Sequence, residues 1–208
     1  DCIQMDESFE GTLMSEQICV ELPQPQEELS FTGERYVPTL ASNIEAEHIH
    51  RYLFSAGLVK GKRVVDIACG EGYGSFILAQ AAESVLGVDI SESAVTHAQG
   101  LYQRPNLMYQ TGSCLKIPAE DKSVDVVISF ETIEHIHEHE DFLAEIQRVL
   151  RPGGILCMST PDKNISDEEN EFHVRELTRG EFESLLGSVF PHVGFYGQKG
   201  VFVSMLTL

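Results

Sequence analysis

Short runs of β-branched and other apolar residues alternate along the chain with longer stretches whose apolar positions recur every three or four residues. The short runs predict buried strands, and the longer stretches predict amphipathic helices. The strands are expected at Arg63–Ala68, Ser84–Asp89, Asn106–Thr111, Ser123–Phe130 and Ile155–Ser159, and the intervening helices at Tyr73–Ala82, Ser91–Leu101 and 139–150. This alternation predicts an α/β fold with helices on both faces of a mostly parallel sheet.

Further elements are expected on both sides of this alternating core. Ser42 or Asn43 can cap a helix before the core, and Thr178 with Glu181 has the spacing of a capping box for a helix after it. The additional helices are predicted at Ser42–Leu58 and Thr178–Leu186, and two adjacent strands at Val189–Tyr196 and Val201–Leu208.

A glycine-rich loop follows the first strand and opens the next helix. Gly70, Gly72 and Gly74 permit a sharp turn and a close approach of a ligand to the backbone. The loop lacks the Gly-Lys-Ser/Thr of a P-loop, and Ser75 stands where a dinucleotide fingerprint has its third glycine. The carboxylate of Asp66, at the end of the strand, would repel a pyrophosphate but can accept a hydrogen bond from an ammonium group.

A second acid, Asp89, ends the next strand. A carboxylate at that position suits a ribose diol, and each charge-assisted hydrogen bond is worth roughly 1.5–3 kcal/mol. Together with the glycine loop, this acid resembles motif I and the following acidic motif of the class I S-adenosylmethionine-dependent methyltransferases. The run 123–130 resembles the fourth motif of that family, and Arg151-Pro-Gly-Gly154 before a strand resembles another of its hallmarks. A Rossmann-like turn without a methyl donor is the alternative.

The resemblance implies a Rossmann-like fold with a seven-stranded, mostly parallel sheet that ends in a C-terminal antiparallel pair. It also implies S-adenosylmethionine as the cofactor, with Ile90 packed on the adenine ring. Ser113 and Cys114 stand where the family often has an acid for the adenine amino group, so backbone groups are expected to serve there. The predicted cofactor-binding residues are Asp66, Ala68, Gly70, Gly72, Asp89, Ile90, Ser113, Cys114 and Phe130.

Acids and histidines cluster directly after the fourth strand. Glu131, Glu134 and His135 are spaced i, i+3 and i+4, so on a helical turn they would share one face. His173 lies in a loop past the fifth strand and can supply a fourth ligand. This set predicts a site for a divalent cation, Mg²⁺ or Mn²⁺, and it resembles the metal site of small-RNA 2′-O-methyltransferases. A metal-free general base at His135 or Glu134 and a purely structural role remain alternatives.

Other runs bear on the acceptor. The Phe-Glu-x-x-Glu-His run (130–135) and Ser159-Thr-Pro161 resemble ubiquinone-pathway O-methyltransferases and methyltransferases associated with sugar and polysaccharide biosynthesis. The predicted function is therefore O-methylation of a hydroxyl on a small molecule or saccharide. Two competitors are a C- or N-methyltransferase for a quinone-like or amine acceptor, and a non-catalytic module that binds the donor.

The net charge of −19 narrows the range of binding partners that we expect. It argues against a nucleic-acid substrate and against an anionic membrane surface. The odd number of cysteines, five, without a C-x-x-C pair, predicts reduced thiols and a cytoplasmic location. We find no apolar stretch long enough for a membrane span and no signal peptide.

The 208 residues are predicted to form one folded domain behind an acidic segment. Residues 1–30, with eight acids and no Lys or Arg, predict a poorly ordered arm that could dock a partner. The methyltransferase domain is expected over 31–208, divided into an N-terminal cap segment and helix at 31–61 and an α/β core at 62–208. Arg35 and Tyr36 in the cap could face the donor or the acceptor. The chain begins without Met, which leaves room for an upstream segment.

Overall fold

The computed structural model describes residues 22–23, 43–165 and 172–199. Strands and helices alternate along these ranges, as predicted. In chain order the elements are α1 (Asn43–Ala56), β1 (Arg63–Ile67), α2 (Tyr73–Leu78), β2 (Ser84–Asp89), α3 (Glu92–Leu101), β3 (Leu107–Thr111), β4 (Val124–Phe130), a 3₁₀ turn (Ile133–His135), α4 (His139–Val149), β5 (Leu150–Ser159) and α5 (Arg179–Val189).

The five strands of the described residues form one parallel sheet in the order β3-β2-β1-β4-β5. Successive strands step outward from β1 through β2 to β3, and the chain then crosses back to β4 on the other side of β1. The loops after β1 and β4 therefore diverge at the carboxyl edge of the sheet. Such a reversal leaves a crevice where open α/β sheets bind their ligands.

Side chains that alternate along each strand fill two separate cores. On β1, Val64 belongs to the core beneath α1, α2 and α3, whereas Val65 belongs to the core beneath α4 and α5. The first core includes Tyr52, Ile77, Ala98, Val126 and Ile128, and the second includes Ile67, Val127, Phe142, Ile146 and Leu186. The sheet is thus covered on both faces, which confirms the predicted α/β architecture and explains why its strands are continuous apolar runs.

Side-chain caps fix the beginnings of two helices. The Oγ of Ser91 accepts a hydrogen bond from the Ala94 N–H at the start of α3. Thr178 and Glu181 form the predicted capping box of α5, in which each side chain accepts from the other residue's backbone N–H. Caps of this kind contribute about 1 kcal/mol each, so the sequence places these helix starts reliably.

Two element boundaries differ from prediction by four residues or more. The helix α2 ends at Leu78, not at Ala82, because the N–H groups of Gln80 and Ala81 bond to carbonyls three residues back and tighten the chain after the helix. The strand β5 begins at Leu150, not at Ile155, since residues 151–154 run beside β4 through an irregularity in their pairing. The Pro-Gly-Gly run therefore ends α4 as predicted but continues as strand.

The predicted strand over Val189–Tyr196 is wrong. Val189 is the last residue of α5, and residues 190–199 contain no strand. Helical periodicity carries α5 as far as Val189, and Pro191 then lacks the N–H that a sheet ladder needs. The predicted partner strand, Val201–Leu208, lies outside the described residues. The described sheet accordingly has five strands, and the predicted antiparallel pair is not among them.

The predicted N-terminal segments fall largely outside the described ranges. This holds for the acidic arm at 1–30, except for Leu22 and Pro23, and for Arg35 and Tyr36 of the cap segment. Leu22 packs against the first core. Among the described residues, Cys69, Cys114 and Cys157 are free thiols. In those same ranges, the helices are all too short or too polar to cross a lipid bilayer.

Candidate active site

The loop between β1 and α2 turns through alternate residues with positive φ. Ala68, Gly70 and Gly72 have φ values of 58°, 55° and 90°. A Cβ at Gly72 would lie 2.6 Å from the side chain of Ala98, so both the backbone angle and the space require glycine. Ala68 holds the same left-handed region despite its Cβ, a local strain that is common where ligands bind. The tight turn leaves backbone groups at the carboxyl edge of the sheet.

Asp66 lies beneath this loop and is fully buried. One carboxylate oxygen accepts a hydrogen bond from Ser75 Oγ at 2.6 Å, and the other accepts from Tyr52 Oη at 3.3 Å. Burial raises the pKa of Asp66 to about 7, against the two hydrogen bonds that lower it. The carboxyl therefore ties β1 to α1 and α2 and holds the loop in place.

Asp89 ends β2 beside the loop. Its two oxygens accept hydrogen bonds from the backbone N–H groups of Gly70, at 2.8 Å, and Ser91, at 2.9 Å. Each carboxylate oxygen has two lone pairs, so both can accept a further hydrogen bond from a ligand hydroxyl. The next residue, Ile90, is 79% exposed. An acid and an exposed apolar side chain thus stand together at the sheet edge.

The remaining predicted cofactor residues border the same edge. Ser113 and Cys114 are half-buried and follow β3, where Ser113 Oγ accepts from the Leu115 N–H at 3.1 Å. Phe130 ends β4 and is almost completely buried. Its ring lies edge-on to the ring of Tyr52, with centroids 5.0 Å apart. The structure therefore brings all the residues predicted to bind the cofactor to the carboxyl ends of β1, β2, β3 and β4.

One face of α1 closes the β4 side of this crevice, which the sequence did not indicate. The ring of Tyr52 occupies the space that a Cβ at Gly74 would need. His48 Nδ1 lies 3.3 Å from Tyr73 Oη, and burial, with the charge of Arg51, lowers the pKa of His48 to about 4. Helical periodicity identified α1 and its buried face, but no local pattern revealed which element that face contacts.

Glu131 directly follows β4 and lies outside the imidazole cluster. It has a φ of 50°, and the helical turn behind it spans only Ile133–His135. Glu131 Oε1 accepts from Ser159 Oγ at 2.6 Å and lies 3.1 Å from Arg51 Nη1. The predicted common face of Glu131, Glu134 and His135 is therefore not formed, because it required a regular helix from residue 131 onward.

Glu134, His135 and His173 do come together. One potential ligand atom of each lies within 4.8 Å of the other two, and the two imidazole rings are edge-on with centroids 4.9 Å apart. The loop that carries His173 docks on the 3₁₀ turn, since the N–H groups of Val174 and Arg175 both donate to the carbonyl of Glu134. The 3₁₀ turn before α4 and the loop that follows β5 along the chain thus meet at one point.

Each histidine of this cluster has its Nδ1 engaged. His135 Nδ1 lies 3.0 Å from the carbonyl oxygen of Phe172, so it carries the proton and donates it. His173 Nδ1 lies 2.6 Å from a carboxylate oxygen of Glu176. A carbonyl or carboxylate on one ring nitrogen fixes the tautomer in which Nε2 has the lone pair, and metal-binding histidines are oriented in this way.

Glu134 is fully buried. Its Oε2 accepts from Thr160 Oγ1 at 3.1 Å, but its Oε1 has no hydrogen-bond partner among the described residues. Burial, with the nearby charge of Glu131, raises the pKa of Glu134 to about 8. A buried carboxylate oxygen without a partner is costly unless a proton or a cation occupies it. Beside two imidazoles, such an oxygen can hold a proton or serve as the third ligand of a cation.

Comparison with known proteins agrees with this geometry. Residues 65–158 match the family described as "Methyltransferase domain". A probable S-adenosylmethionine-dependent methyltransferase of Mycolicibacterium smegmatis is 37% identical over 76% of this chain and 63% of its own length. The phthiotriol/phenolphthiotriol dimycocerosates methyltransferase of Mycobacterium leprae is 33% identical, over 83% of this chain and 69% of its own. The chain spans less than two thirds of the first of these relatives.

Solved structures agree on the fold. A SAM-dependent methyltransferase from Aquifex aeolicus superposes with a TM-score of 0.59 at 23% identity, over 74% of this chain and 88% of its own. Its strand and helix arrangement therefore matches that described here. We conclude from the glycine loop, the acid at the end of β2 and the similarity to these relatives that the chain belongs to the class I S-adenosylmethionine-dependent methyltransferases.

Proposed function

We propose that this protein transfers the methyl group of S-adenosylmethionine to a hydroxyl oxygen of a small molecule or saccharide. In this proposal Asp89 holds the ribose hydroxyls, and the adenine lies against Ile90 beside Ser113 and Cys114. The methionine part extends across the glycine loop, above the buried Asp66, towards Phe130 and Glu131. The strand order supports this direction, because β3, β2, β1 and β4 follow one another across the sheet edge.

The acceptor is proposed to meet the cluster of Glu134, His135 and His173. The observation that carries this step is the buried Oε1 of Glu134, which has no hydrogen-bond partner within the described residues and stands beside two imidazoles. One carboxylate and two imidazoles suit a divalent cation such as Mn²⁺ or Mg²⁺, and the partners of both Nδ1 atoms fit that use. Glu131, held by Arg51 and Ser159, is left out of the proposed ligand set.

The chemistry requires little beyond positioning and proton removal. The acceptor oxygen attacks the sulfonium methyl in line, the new O–C bond forms as the S–C bond breaks, and the donor leaves as S-adenosylhomocysteine. The hydroxyl proton would pass to solvent water when a cation lowers the pKa of the hydroxyl, or to Nε2 of His135 when no cation is bound. A bound cation would supply Lewis-acid stabilisation of the developing alkoxide. The cluster residues would hold and orient the acceptor hydroxyl on the β4 side of the donor.

A metal-free base remains the alternative, and the pKa of Glu134 bears on it. At about 8, this pKa leaves the carboxyl largely protonated at pH 7, so it cannot accept a proton there. A cation would favour the ionised form of Glu134 and resolve this conflict. His135, whose Nδ1 donates to a carbonyl, can serve as the base through Nε2 in the metal-free case.

The acceptor class follows from chemistry and from one relative. The Mycobacterium leprae relative is named for phthiotriol and phenolphthiotriol substrates, and a triol offers hydroxyl oxygens. The net charge of −19 disfavours a nucleic-acid acceptor. A cation and two imidazoles assist an alcohol more than an amine or an activated carbon, which are already nucleophilic. We therefore favour O-methylation over C- or N-methylation and over donor binding without catalysis.

The test is an acceptor screen with labelled donor. Nucleotide sugars, glycans, catechols and lipid diols or triols are incubated with the protein after EDTA treatment, with and without added Mn²⁺ or Mg²⁺. We expect S-adenosylhomocysteine release and a methyl ether as product, with turnover at least tenfold lower in EDTA. Full turnover in EDTA would exclude a role for the cation. A C- or N-methyl product would exclude O-methylation. Donor binding without product on any acceptor would favour the non-catalytic alternative.

A further inference from the structure

Arg51 stands where the amino-acid end of the donor is expected. The strand order puts the ribose site, at the end of β2, on one side of the glycine loop and the end of β4 on the other. A donor with its ribose at Asp89 therefore points its methionine part towards β4. Arg51 reaches this place from α1, since its Nη1 lies 3.1 Å from Glu131, the residue directly after β4.

The surroundings of Arg51 suit a zwitterion. Its side chain is 18% exposed and so remains open to a ligand, and the neighbouring Glu131 is 23% exposed. A guanidinium beside a carboxylate complements an α-carboxylate beside an α-ammonium. By contrast, Asp66 is fully buried and both its oxygens accept hydrogen bonds from hydroxyls. Among the residues that the structure describes, Arg51 and Glu131 are thus partly exposed charges at this end of the crevice.

The guanidinium also has unused hydrogen-bonding capacity. Arg51 Nε donates to Gln198 Oε1 at 2.6 Å. Nη1 is buried and, despite its ion pair with Glu131, makes no hydrogen bond of good geometry to any residue that the structure describes. A buried N–H without an acceptor is unfavourable, and a carboxylate is the acceptor that a guanidinium matches best, through two parallel bonds.

We propose that Arg51 binds the α-carboxylate of the donor and so distinguishes S-adenosylmethionine from adenosine compounds that lack the amino-acid part. This inference rests on the donor position in the proposed function. On binding, the guanidinium exchanges part of its contact with Glu131 for the ligand carboxylate, and Glu131 stays held by Ser159 next to the ammonium. Arg51, on the helix that precedes the α/β core, thus contributes to the choice of donor.

The test compares two ligands that differ only at the amino-acid end. S-Adenosylhomocysteine carries the α-carboxylate and α-ammonium, whereas 5′-methylthioadenosine keeps the adenosine and the sulfur but lacks both. Dissociation constants for each are measured by calorimetry on the wild type, Arg51→Gln and Arg51→Lys. The matched control is Arg63→Gln, which removes a guanidinium from an ion pair with Asp125 at the opposite end of β1.

We expect Arg51→Gln to weaken S-adenosylhomocysteine binding about 10- to 100-fold and to leave methylthioadenosine binding unchanged. Arg51→Lys should lose less, and Arg63→Gln should alter neither. Equal weakening of both ligands by Arg51→Gln would mean that Arg51 only braces α1, and unchanged binding of both would mean that it does not contact the donor. Either result overturns the proposal. A wild type that binds neither ligand would refute the donor position itself, and this inference with it.

Discussion

At the scale of single residues, the site uses carboxyl groups in three different environments. Asp66 is buried and hydrogen-bonded to hydroxyls, with its pKa raised to about 7. Asp89 accepts from two backbone N–H groups and keeps lone pairs for a ligand. Glu134 is buried with one oxygen lacking a partner within the described residues. The same functional group can therefore brace the loop or, in the proposed function, receive the ribose or a cation, according to its surroundings.

The raised pKa of Glu134 has a consequence for stability that can be measured. Glu134 titrates near 8 in the folded protein, against an ordinary value of 4.5. Between these values the folded state holds a proton that the unfolded state has released. The stabilisation that comes from protonated Glu134 is therefore complete below pH 4.5, and it is lost progressively as the pH rises to 8. Glu134→Gln is neutral at every pH. We predict that its free energy of unfolding rises relative to that of the wild type by on the order of a few kcal/mol between pH 5 and pH 9.

Urea unfolding in EDTA across this pH range measures the difference in unfolding free energy. Asp66 titrates in both proteins, so its contribution cancels. Glu140→Gln, an exposed position in the first turn of α4, is the control and should follow the wild type at every pH. If the difference between the wild type and Glu134→Gln does not change with pH, Glu134 is not a buried, protonated carboxyl.

The predicted donor residues that the structure places at the sheet edge are those whose position depends on a strand end. Gly70 and Gly72 lie in the loop after β1, and Asp89 is the last residue of β2, so apolar periodicity was enough to place them. Glu131 was grouped with Glu134 because the spacing i, i+3 presumes a helix, and a positive φ at Glu131 breaks that assumption. Arg51 could not be found from sequence, because its partners Glu131 and Gln198 are remote along the chain and only the fold brings them together.

At the scale of elements, the loop 172–177 completes the candidate acceptor site. It is anchored by two N–H groups that donate to the carbonyl of Glu134, and it delivers His173 to the cluster. Glu176 in the same loop orients the ring of His173 through a 2.6 Å contact. The loop thus acts as a unit. We therefore expect a change at Glu176 to alter cation binding at the proposed site and to leave donor binding unchanged.

We predict that Glu176→Gln lowers the affinity for Mn²⁺ by about 10- to 100-fold, as expected when the carboxylate behind a ligating histidine is lost. Mn²⁺ titration followed by electron paramagnetic resonance measures the affinity directly, without turnover. Donor affinity should stay at the wild-type value. Glu183→Gln, which removes an exposed partner of Arg179 on α5, serves as the control. Wild-type Mn²⁺ affinity in Glu176→Gln, or no measurable Mn²⁺ binding in the wild type, would contradict the proposed site.

Elements were predictable where periodicity and caps determine them. The core strands and the starts of α3 and α5 lie where the sequence predicts them, because apolar period and capping side chains act within a few residues. The expected strand over Val189–Tyr196 is wrong, because Val189 still belongs to α5 and Pro191 lacks the N–H that a sheet ladder needs. The extension of β5 back to Leu150 was missed because pairing with β4, which is remote along the chain, decides it.

At the scale of the whole molecule, the order of the strands determines where chemistry can occur. The reversal between β1 and β4 opens the crevice, with the residues proposed to bind the donor on the β1, β2 and β3 side and the acid–imidazole cluster beyond β4. The net charge of −19 favours attraction of cations and disfavours phosphate polymers. The charge therefore agrees with the small acceptor of the proposed function.

The central claim is that the crevice above β1 binds S-adenosylmethionine with its sugar at β2 and its reactive end towards β4. A crystal structure of the protein with S-adenosylhomocysteine tests it most directly. We predict the ribose hydroxyls within hydrogen-bond distance of Asp89, the adenine against Ile90, and the sulfur on the side of Phe130 and the imidazole cluster. An empty crevice at saturating ligand, or a ligand bound in the reverse direction, would contradict this account.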